Sequence, residues 1–239
     1  MFRHKGKTRT YQHNLRLAAV LSFIAGMVNV CGVLSIKVLT TNVTGHFAYF
    51  SEEIVNRQYA SAAIFLLYIF SFLLGSFVSN VLIELVAKVQ PRLSHAAPMV
   101  IEILVLVIIG LFGQRFENIQ LIACLLLFIM GIQNSLVTQV SQATVRTTHL
   151  TGLFTDLGIE LSQLFFYREK EQLHKLSKSI YLRLTIIAFF FIGCVLGGFM
   201  FKAYNFKTLL FAAACLVLAV FYDNILYSFY FFRRKLRDQ

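Results

Sequence analysis

Long apolar runs alternate with short polar stretches along the chain. The apolar runs cover residues 17–36, 60–87, 96–112, 119–140, 184–201 and 208–232. A helix needs about 20 predominantly apolar residues to cross the hydrocarbon core of a bilayer. The second run is long enough to tilt and the third is short, but each still suffices for one crossing. The pattern predicts an all-α polytopic membrane protein with six transmembrane helices.

The composition agrees with this interpretation. The chain has 239 residues, of which 58% are apolar and 14% are charged, whereas soluble globular domains are about 25% charged. Disorder is excluded, because a disordered chain needs low hydrophobicity. A disulfide-rich secreted domain is excluded as well, because the four cysteines lie far apart inside apolar runs.

The excess of basic residues is explained by membrane topology. The net charge is +11, from 22 basic and 11 acidic residues. With a cytoplasmic N-terminus, 17 of the 22 basic residues fall on the cytoplasmic side of the six predicted helices. Cytoplasmic loops are the ones that carry excess Lys and Arg. Both termini are therefore predicted to be cytoplasmic basic tails, at residues 1–16 and 233–239, and no nucleic-acid partner is expected.

The two halves of the chain share sequence motifs in the same order. Residues 23–29 and 128–134 share the pattern F-I-x-G-x-x-N, and residues 41–47 and 148–154 share T-x-x-T-G-x-F. A third match aligns Gly75 with Gly197. Each half holds three predicted spans, and an odd number inverts the second half in the membrane. The sequence thus predicts a 3+3 inverted repeat, with repeats at residues 17–113 and 114–232.

A polar segment containing the Thr-Gly motif follows the first and the fourth span. These segments, residues 38–55 and 145–166, are too polar to span and are each predicted to contain a short helix capped by threonine. One interpretation is a half-helix whose N-terminus lies at membrane depth, as in many transporters. The other is an amphipathic helix lying in the membrane interface. The sequence leaves both open.

Polar and glycine residues at matched places in the two halves are the candidates for lining a solute path. They are Asn29, Thr41, Thr44, Gly45, His46, Asn134, Thr148, Thr151, Gly152 and Asp156. An amide deep in a span needs partners or a wet cavity, and a helix N-terminus attracts anions and polar oxygens. The favoured function is therefore a transporter or channel for a small polar or anionic solute. No catalytic residue, metal or cofactor is predicted.

Two other functions remain open at this stage. A membrane enzyme would need at least two of His46, His149, Asp156 and Glu160 to converge, although no enzyme motif is present. A structural or partner-binding membrane protein would instead have a solid core. Glu102 and Asp223 lie inside apolar runs, where an ionisable group is a functional candidate unless a local partner explains it.

The motif G-x-x-x-G at Gly193 and Gly197 allows a close helix contact. Packing within the chain is the favoured use of this motif, and a homodimer through the same glycines is the alternative.

Residues 26–29, 44–46, 131–135 and 147–158 resemble the YoaK family of bacterial inner-membrane proteins, which is catalogued as a domain of unknown function. The similarity extends over roughly residues 15–230, and the last segment is its most specific part. The resemblance implies a polytopic protein of the bacterial inner membrane and supplies no activity. Two positions depart from the family pattern, which usually has an acidic residue at Asn29 and an asparagine at His46.

Overall fold

The computed structural model describes residues 10–91 and 93–221. The helices are α1 Tyr11–Ile36, α2 Val43–Val55, α3 Tyr59–Val89, α4 Ala96–Phe112, α5 Ile119–Ser141, α6 Leu150–Gln163, α7 Lys170–Tyr204 and α8 at residues 208–221. Short 3-10 turns follow α4, at Gly113–Arg115, and α7, at Asn205–Lys207. These residues contain no strand, so the predicted all-α class is confirmed for the described part of the chain.

Five helical segments are long and apolar enough to cross a membrane. They are α1, α3, α4 with its 3-10 turn, α5, and one run of 52 residues at Lys170–Phe221. The last run contains the fifth predicted span and the first part of the sixth, residues 208–221. The helix breaks at Asn205, whose φ of 51° and ψ of −137° do not continue a helix. Phe189 of α7 and Leu218 of α8 line one groove, so α8 folds back along α7.

Several predictions lie outside the described residues. They are the first part of the N-terminal tail, the end of the sixth span beyond residue 221, Asp223 and the C-terminal tail.

The first helix begins earlier than the apolar run that predicts it. Thr10 caps α1, and its side chain and that of His13 exchange hydrogen bonds with the backbone of the first turn. This capping box starts the helix six residues before the apolar run, so residues 11–16 are helical as well. The predicted N-terminal tail is therefore partly helical.

The helices α1 and α5 end in the same way. Their C-caps are Lys37 and Gln142, with φ values of 56° and 53° in the left-handed region. A left-handed residue closes the last turn and redirects the chain. Each cap lies eight residues after the asparagine of the shared motif, Asn29 or Asn134. The repeat in sequence thus corresponds to a repeated break in structure.

Glycines bring α1 into backbone contact with α7. A Cβ atom at Gly26 would collide with the carbonyl of Phe190, and one at Gly193 would collide with the carbonyl of Phe23. The Cys194 thiol also donates to the Gly26 carbonyl at 3.3 Å. Such contact is possible only where both helices carry very small residues.

The helices α3 and α5 meet through an equivalent contact. Gly75 lies against the carbonyl of Phe128, and Gly131 lies against that of Phe72. Ser76 donates to the Gly131 carbonyl at 3.1 Å. Judged by these contacts, Gly75 of α3 is the structural equivalent of Gly193 of α7.

This pairing differs from the sequence match, which aligned Gly75 with Gly197. The structural register is one helical turn away from the sequence register. Both Gly193 and Gly197 face α1 of the same chain, with the Met27 Cα 3.0 Å from a Cβ placed on Gly197. The small-residue motif thus packs within the chain, which is the favoured use that the sequence predicted.

The core is centred on α1 and α5. About 61% of the most apolar window of each is buried, against 22% for α3. α3 and α7 flank the core and expose large apolar side chains such as Phe77 and Phe199. α4 and α8 touch each other through Gly110 and Leu210. The exposed apolar surface of the outer helices is what a lipid-facing surface requires.

Alanine substitution at Gly75 is expected to destabilise the protein by about 1–3 kcal/mol, because the added methyl group forces α3 away from α5. Gly158 is a matched control, since it lies inside α6 and a Cβ there meets nothing within 4 Å. Gly158→Ala is expected to stabilise by roughly 0.5–1 kcal/mol. Thermal unfolding of both variants in detergent measures the difference, and equal midpoints would contradict the proposed contact.

Candidate functional site: a polar cavity between two helix pairs

A cavity of about 870 Å³ lies where the α1–α7 pair meets the α3–α5 pair. Its volume falls within the range of about 300–1,000 Å³ that is typical of small-molecule sites. Seven of the ten predicted path residues line it, namely Asn29, Thr41, Thr44, Gly45, Asn134, Thr148 and Thr151. The two repeated motifs, which are far apart in the sequence, therefore converge on one space.

Both short helices present their N-termini to this cavity. α2 begins at Val43, and Asn42 caps it by accepting a hydrogen bond from the Gly45 amide at 3.1 Å. α6 begins at Leu150 with His149 at its N-cap position. The prediction that threonine caps these helices is wrong, because Thr44 and Thr151 lie inside the first turn. First-turn amide groups lack helical partners and carry the positive end of the helix dipole.

The two deep asparagines hold the start of each polar segment. The Thr41 hydroxyl donates to Asn29 Oδ1 at 3.1 Å, and the Thr148 hydroxyl donates to Asn134 Oδ1 at 2.6 Å. The amide of Asn134 also donates to the Met130 carbonyl at 2.9 Å. Each asparagine thus both lines the cavity and fixes the loop that leads into a short helix.

Arg146 brings a positive charge to the cavity wall. The sequence favoured a topological role for this residue and did not place it among the path residues. No Asp or Glu is among the cavity-lining residues in the part of the chain that the structure describes. One cation and two helix N-termini without a carboxylate make a wall that favours anions or neutral polar groups over cations.

His46 does not line the cavity but fastens α2 to α3. Its side chain is buried, Nε2 donates to the Leu39 carbonyl at 2.8 Å, and its ring lies 5.5 Å from that of Tyr68. Burial lowers the pKa of His46, and the hydrogen bond to Leu39 offsets this only in part. Nδ1 is enclosed without a hydrogen-bond partner among the described residues, so the neutral ring fits this place.

Asp156 also lies away from the cavity, in an ionic cluster that fastens α6 to α7. Arg183 donates to both oxygens of Glu160 at 2.8 and 2.9 Å and reaches Asp156 at 3.0 Å. The Ser179 hydroxyl donates to Glu160 at 2.6 Å. A bidentate Arg–carboxylate pair is stronger and more directional than an ordinary surface pair.

The contacts that hold α2 on α3 and α6 on α7 involve equivalent positions of the two halves but different kinds of side chain. Tyr49, which the repeat places opposite Asp156, stacks on Phe65 with ring centroids 5.3 Å apart. When α3 and α7 are aligned on Gly75 and Gly193, Phe65 of α3 is equivalent to Arg183 of α7. We call these contacts the aromatic clasp, of His46, Tyr49, Phe65 and Tyr68, and the ionic clasp, of Asp156, Glu160, Ser179 and Arg183.

Gly152, which the sequence placed in the path, is not among the cavity-lining residues and packs against the ring of His149 in the first turn of α6. Of the four candidates for an enzyme site, Asp156 and Glu160 come together on Arg183, whereas the two histidines lie in different places. His46 belongs to the aromatic clasp, Asp156 and Glu160 bind Arg183, and His149 lines the cavity.

Sequence reasoning missed several lining residues. Asn42, Thr138, Phe72 and Phe190 line the cavity in addition to the predicted set. The spacing of Asn42, three residues before Gly45, is an N-cap signal that was available in the sequence. The two phenylalanines give no such signal, because they are ordinary apolar residues of spanning helices.

Comparison with known proteins identifies one family. The family described as "Protein of unknown function (DUF1275)" matches residues 17–222. No curated protein and no solved structure matches the chain. The family match is consistent with the resemblance to an uncharacterised membrane family and does not test the narrower YoaK name.

Replacing Arg183 with Gln is expected to lower the free energy of unfolding by about 1–3 kcal/mol, because Glu160 then keeps its half-buried charge without a cation. Lys175→Gln is the matched control, since Lys175 and Glu171 form an ion pair on the same helix with both side chains at least 75% exposed. That variant is expected to change stability by less than about 0.5 kcal/mol. Thermal unfolding at low and high salt compares the two, and an equal effect of both substitutions would argue against the ionic clasp.

Acid is expected to loosen the aromatic clasp. Because the folded state lowers the pKa of His46, the unfolded chain binds more protons below its ordinary pKa of about 6.5, so stability declines as the pH falls below that value. His46→Leu copies the residue at the matched position, Leu153, and removes this contribution. Unfolding midpoints from pH 8 to pH 5 should fall more steeply for the unmodified protein than for the variant, and parallel curves would refute this role of His46.

Proposed function

Since the chain belongs to the uncharacterised family DUF1275, the evidence for its function lies in the cavity, and we propose that it is a transporter or channel for a small anionic or polar solute. The observation that carries the proposal is the convergence of two short-helix N-termini, two asparagines and Arg146 on one cavity. A purely structural membrane protein would have no use for a polar space of about 870 Å³ between its spanning helices.

The proposal includes six spans arranged as a 3+3 inverted repeat in the bacterial inner membrane, with both termini in the cytoplasm. Equivalent contacts support it, since α1 and α7 meet through Gly26 and Gly193 as α5 and α3 meet through Gly131 and Gly75. The hairpin of α7 and α8 supplies the fifth and sixth crossings. In this topology α2 lies towards the outside and α6 towards the cytoplasm, which brings the cavity within reach of both sides.

The wall of the cavity sets the class of solute. Thr44 and Thr151 offer hydroxyl groups on either side, and the first turns of α2 and α6 offer amide donors. Arg146 adds a permanent positive charge, which a carboxylate or phosphate group can meet with paired hydrogen bonds. A small anion is therefore the preferred cargo within the class, and the proposal assigns no catalytic step to the protein.

Uptake into proteoliposomes tests this function. The purified full chain is reconstituted and supplied with radiolabelled phosphate, acetate and chloride, with labelled glycerol as the neutral probe. Uptake of at least one anion is expected to exceed that of empty liposomes. Arg146→Gln is expected to lower this uptake about tenfold, the factor that corresponds to one lost charge-assisted hydrogen bond.

Arg115→Gln is the matched control, because Arg115 lies outside the cavity and contacts the ring of Phe112 at 5.9 Å. Its uptake is expected to equal that of the unmodified protein. Equal losses in both arginine variants would mean that Arg146 has no special role. Uptake that never exceeds that of empty liposomes would contradict the transport function.

A further inference from the structure

Four of the five side-chain hydrogen bonds that join spanning helices in the described residues lie within the α1–α7 pair or the α3–α5 pair, and this division indicates how the cavity opens. We propose that α1, α6 and α7 move as one body against α2, α3 and α5, with Gln133 as the tie between the two bodies. The inference rests on the proposed transport function, for which it supplies the moving parts. It concerns the seam between the bodies, where the cavity lies.

The first body is held together along its length. Gly26 and Gly193 bring the backbones of α1 and α7 into contact, and nearer their other end the Tyr11 hydroxyl donates to the Lys178 carbonyl at 3.0 Å. The ionic clasp around Arg183 then fixes α6 on α7. Backbone contact over glycine leaves no freedom for one helix to slide past the other.

The second body has the same construction. Gly75 and Gly131 join α3 to α5, and Gln139 of α5 is hydrogen-bonded to Asn80 of α3. The aromatic clasp fixes α2 on α3 through Tyr49 and His46. Each body therefore contains one short helix, and its N-terminal turn faces the shared cavity.

The seam between the bodies is formed by the apolar core that α1 and α5 share, and α4 touches α8 across it through Gly110 and Leu210. Gln133 of α5 donates a hydrogen bond across the seam to the Leu21 carbonyl of α1 at 2.7 Å. Gln133 is fully buried, and its Oε1 atom has no hydrogen-bond partner among the described residues. The repeat aligns Gln133 of α5 with Val28 of α1, whose side chain cannot form a hydrogen bond. The bond from α5 to α1 therefore has no equivalent from α1 to α5. Apolar side-chain packing and one buried hydrogen bond across the seam resist relative motion less than the backbone contacts over glycine within each body.

The chain crosses the seam at two places that can act as hinges. α1 leads into α2 of the other body through Lys37, and α5 leads into α6 through Gln142, both with left-handed backbone. Hinges are typically a few residues at the ends of helices that absorb changes in φ and ψ. A tilt of one body would move Asn29 relative to the first turn of α2, and Asn134 relative to the first turn of α6.

Two phenylalanines mark the cavity faces of the bodies. Phe72 of α3 and Phe190 of α7 both line the cavity, and the carbonyl of each lies against a glycine of the adjacent helix. They occupy equivalent positions in the two bodies. Tilting about the seam would bring these rings together on one side while the cavity widens on the other, which is the geometry of alternating access.

Distances between pairs of spin labels test the two-body arrangement. The four native cysteines are replaced by serine, and labels are attached to exposed positions of the full chain in liposomes. The pair within one body is Gln12 and Tyr181 on α1 and α7. The pairs across the seam are Val89 with Tyr181, and Tyr59 with Tyr204, towards opposite ends of α3 and α7.

The within-body pair is expected to give one narrow distance. Each cross-seam pair is expected to give two distances, one for each tilt of the bodies. The tilt that lengthens the distance between Val89 and Tyr181 is expected to shorten the distance between Tyr59 and Tyr204. Gln133→Val, which copies the equivalent residue, is expected to change the ratio of the two populations by about two- to tenfold and to leave the within-body distance unchanged.

One narrow distance for both cross-seam pairs would overturn the two-body arrangement, and so would equal breadth within and across the bodies. These measurements use no solute, so they are independent of the uptake assay. Two cross-seam distances without uptake would refute the transport function alone. Uptake with single cross-seam distances would refute the moving bodies alone.

Discussion

Backbone contact over glycine is the constraint on which the rest of the structure depends. Lipid offers no hydrophobic drive for two apolar helices to associate, so close approach and hydrogen bonding must hold them. Gly26 and Gly193 meet this need for α1 and α7, and Gly131 and Gly75 meet it for α5 and α3. Because the glycines pair a helix of one half with a helix of the other, they also create the seam in which the cavity lies.

The polar groups of the interior follow from where α1 and α5 end. Both helices stop at a left-handed residue, and the chain then turns into a short helix. Non-helical backbone among spanning helices is stable only where protein or a wet cavity meets its polar groups. Asn29 and Asn134 meet part of that need by accepting from Thr41 and Thr148, and the cavity meets the rest. The cavity and the broken helices are thus one feature.

The sequence predicted the helical class, the first five apolar runs as helices of membrane length and seven of the cavity residues, because hydropathy reports directly on burial and a repeated motif reports on shared local structure. It placed His46 and Asp156 in the path, whereas each fastens a short helix to its neighbour. Those roles depend on Tyr68 and Arg183, which lie in the next helix along the chain and whose approach to the short helix no local pattern encodes. The sequence match also aligned Gly75 with Gly197 instead of Gly193, one helical turn away, because only the helix contacts distinguish these two glycines.

As a transport path, the cavity must communicate with both sides of the membrane. Cysteines at Asn29 and Asn134, in a background without the native cysteines, can be exposed to a membrane-impermeant thiol reagent in right-side-out and inside-out vesicles. A cysteine at Ser22, which is fully buried in α1, is the control and should stay unlabelled. Both cavity positions are expected to be labelled from either side. Labelling from one side only, or from neither, would contradict it.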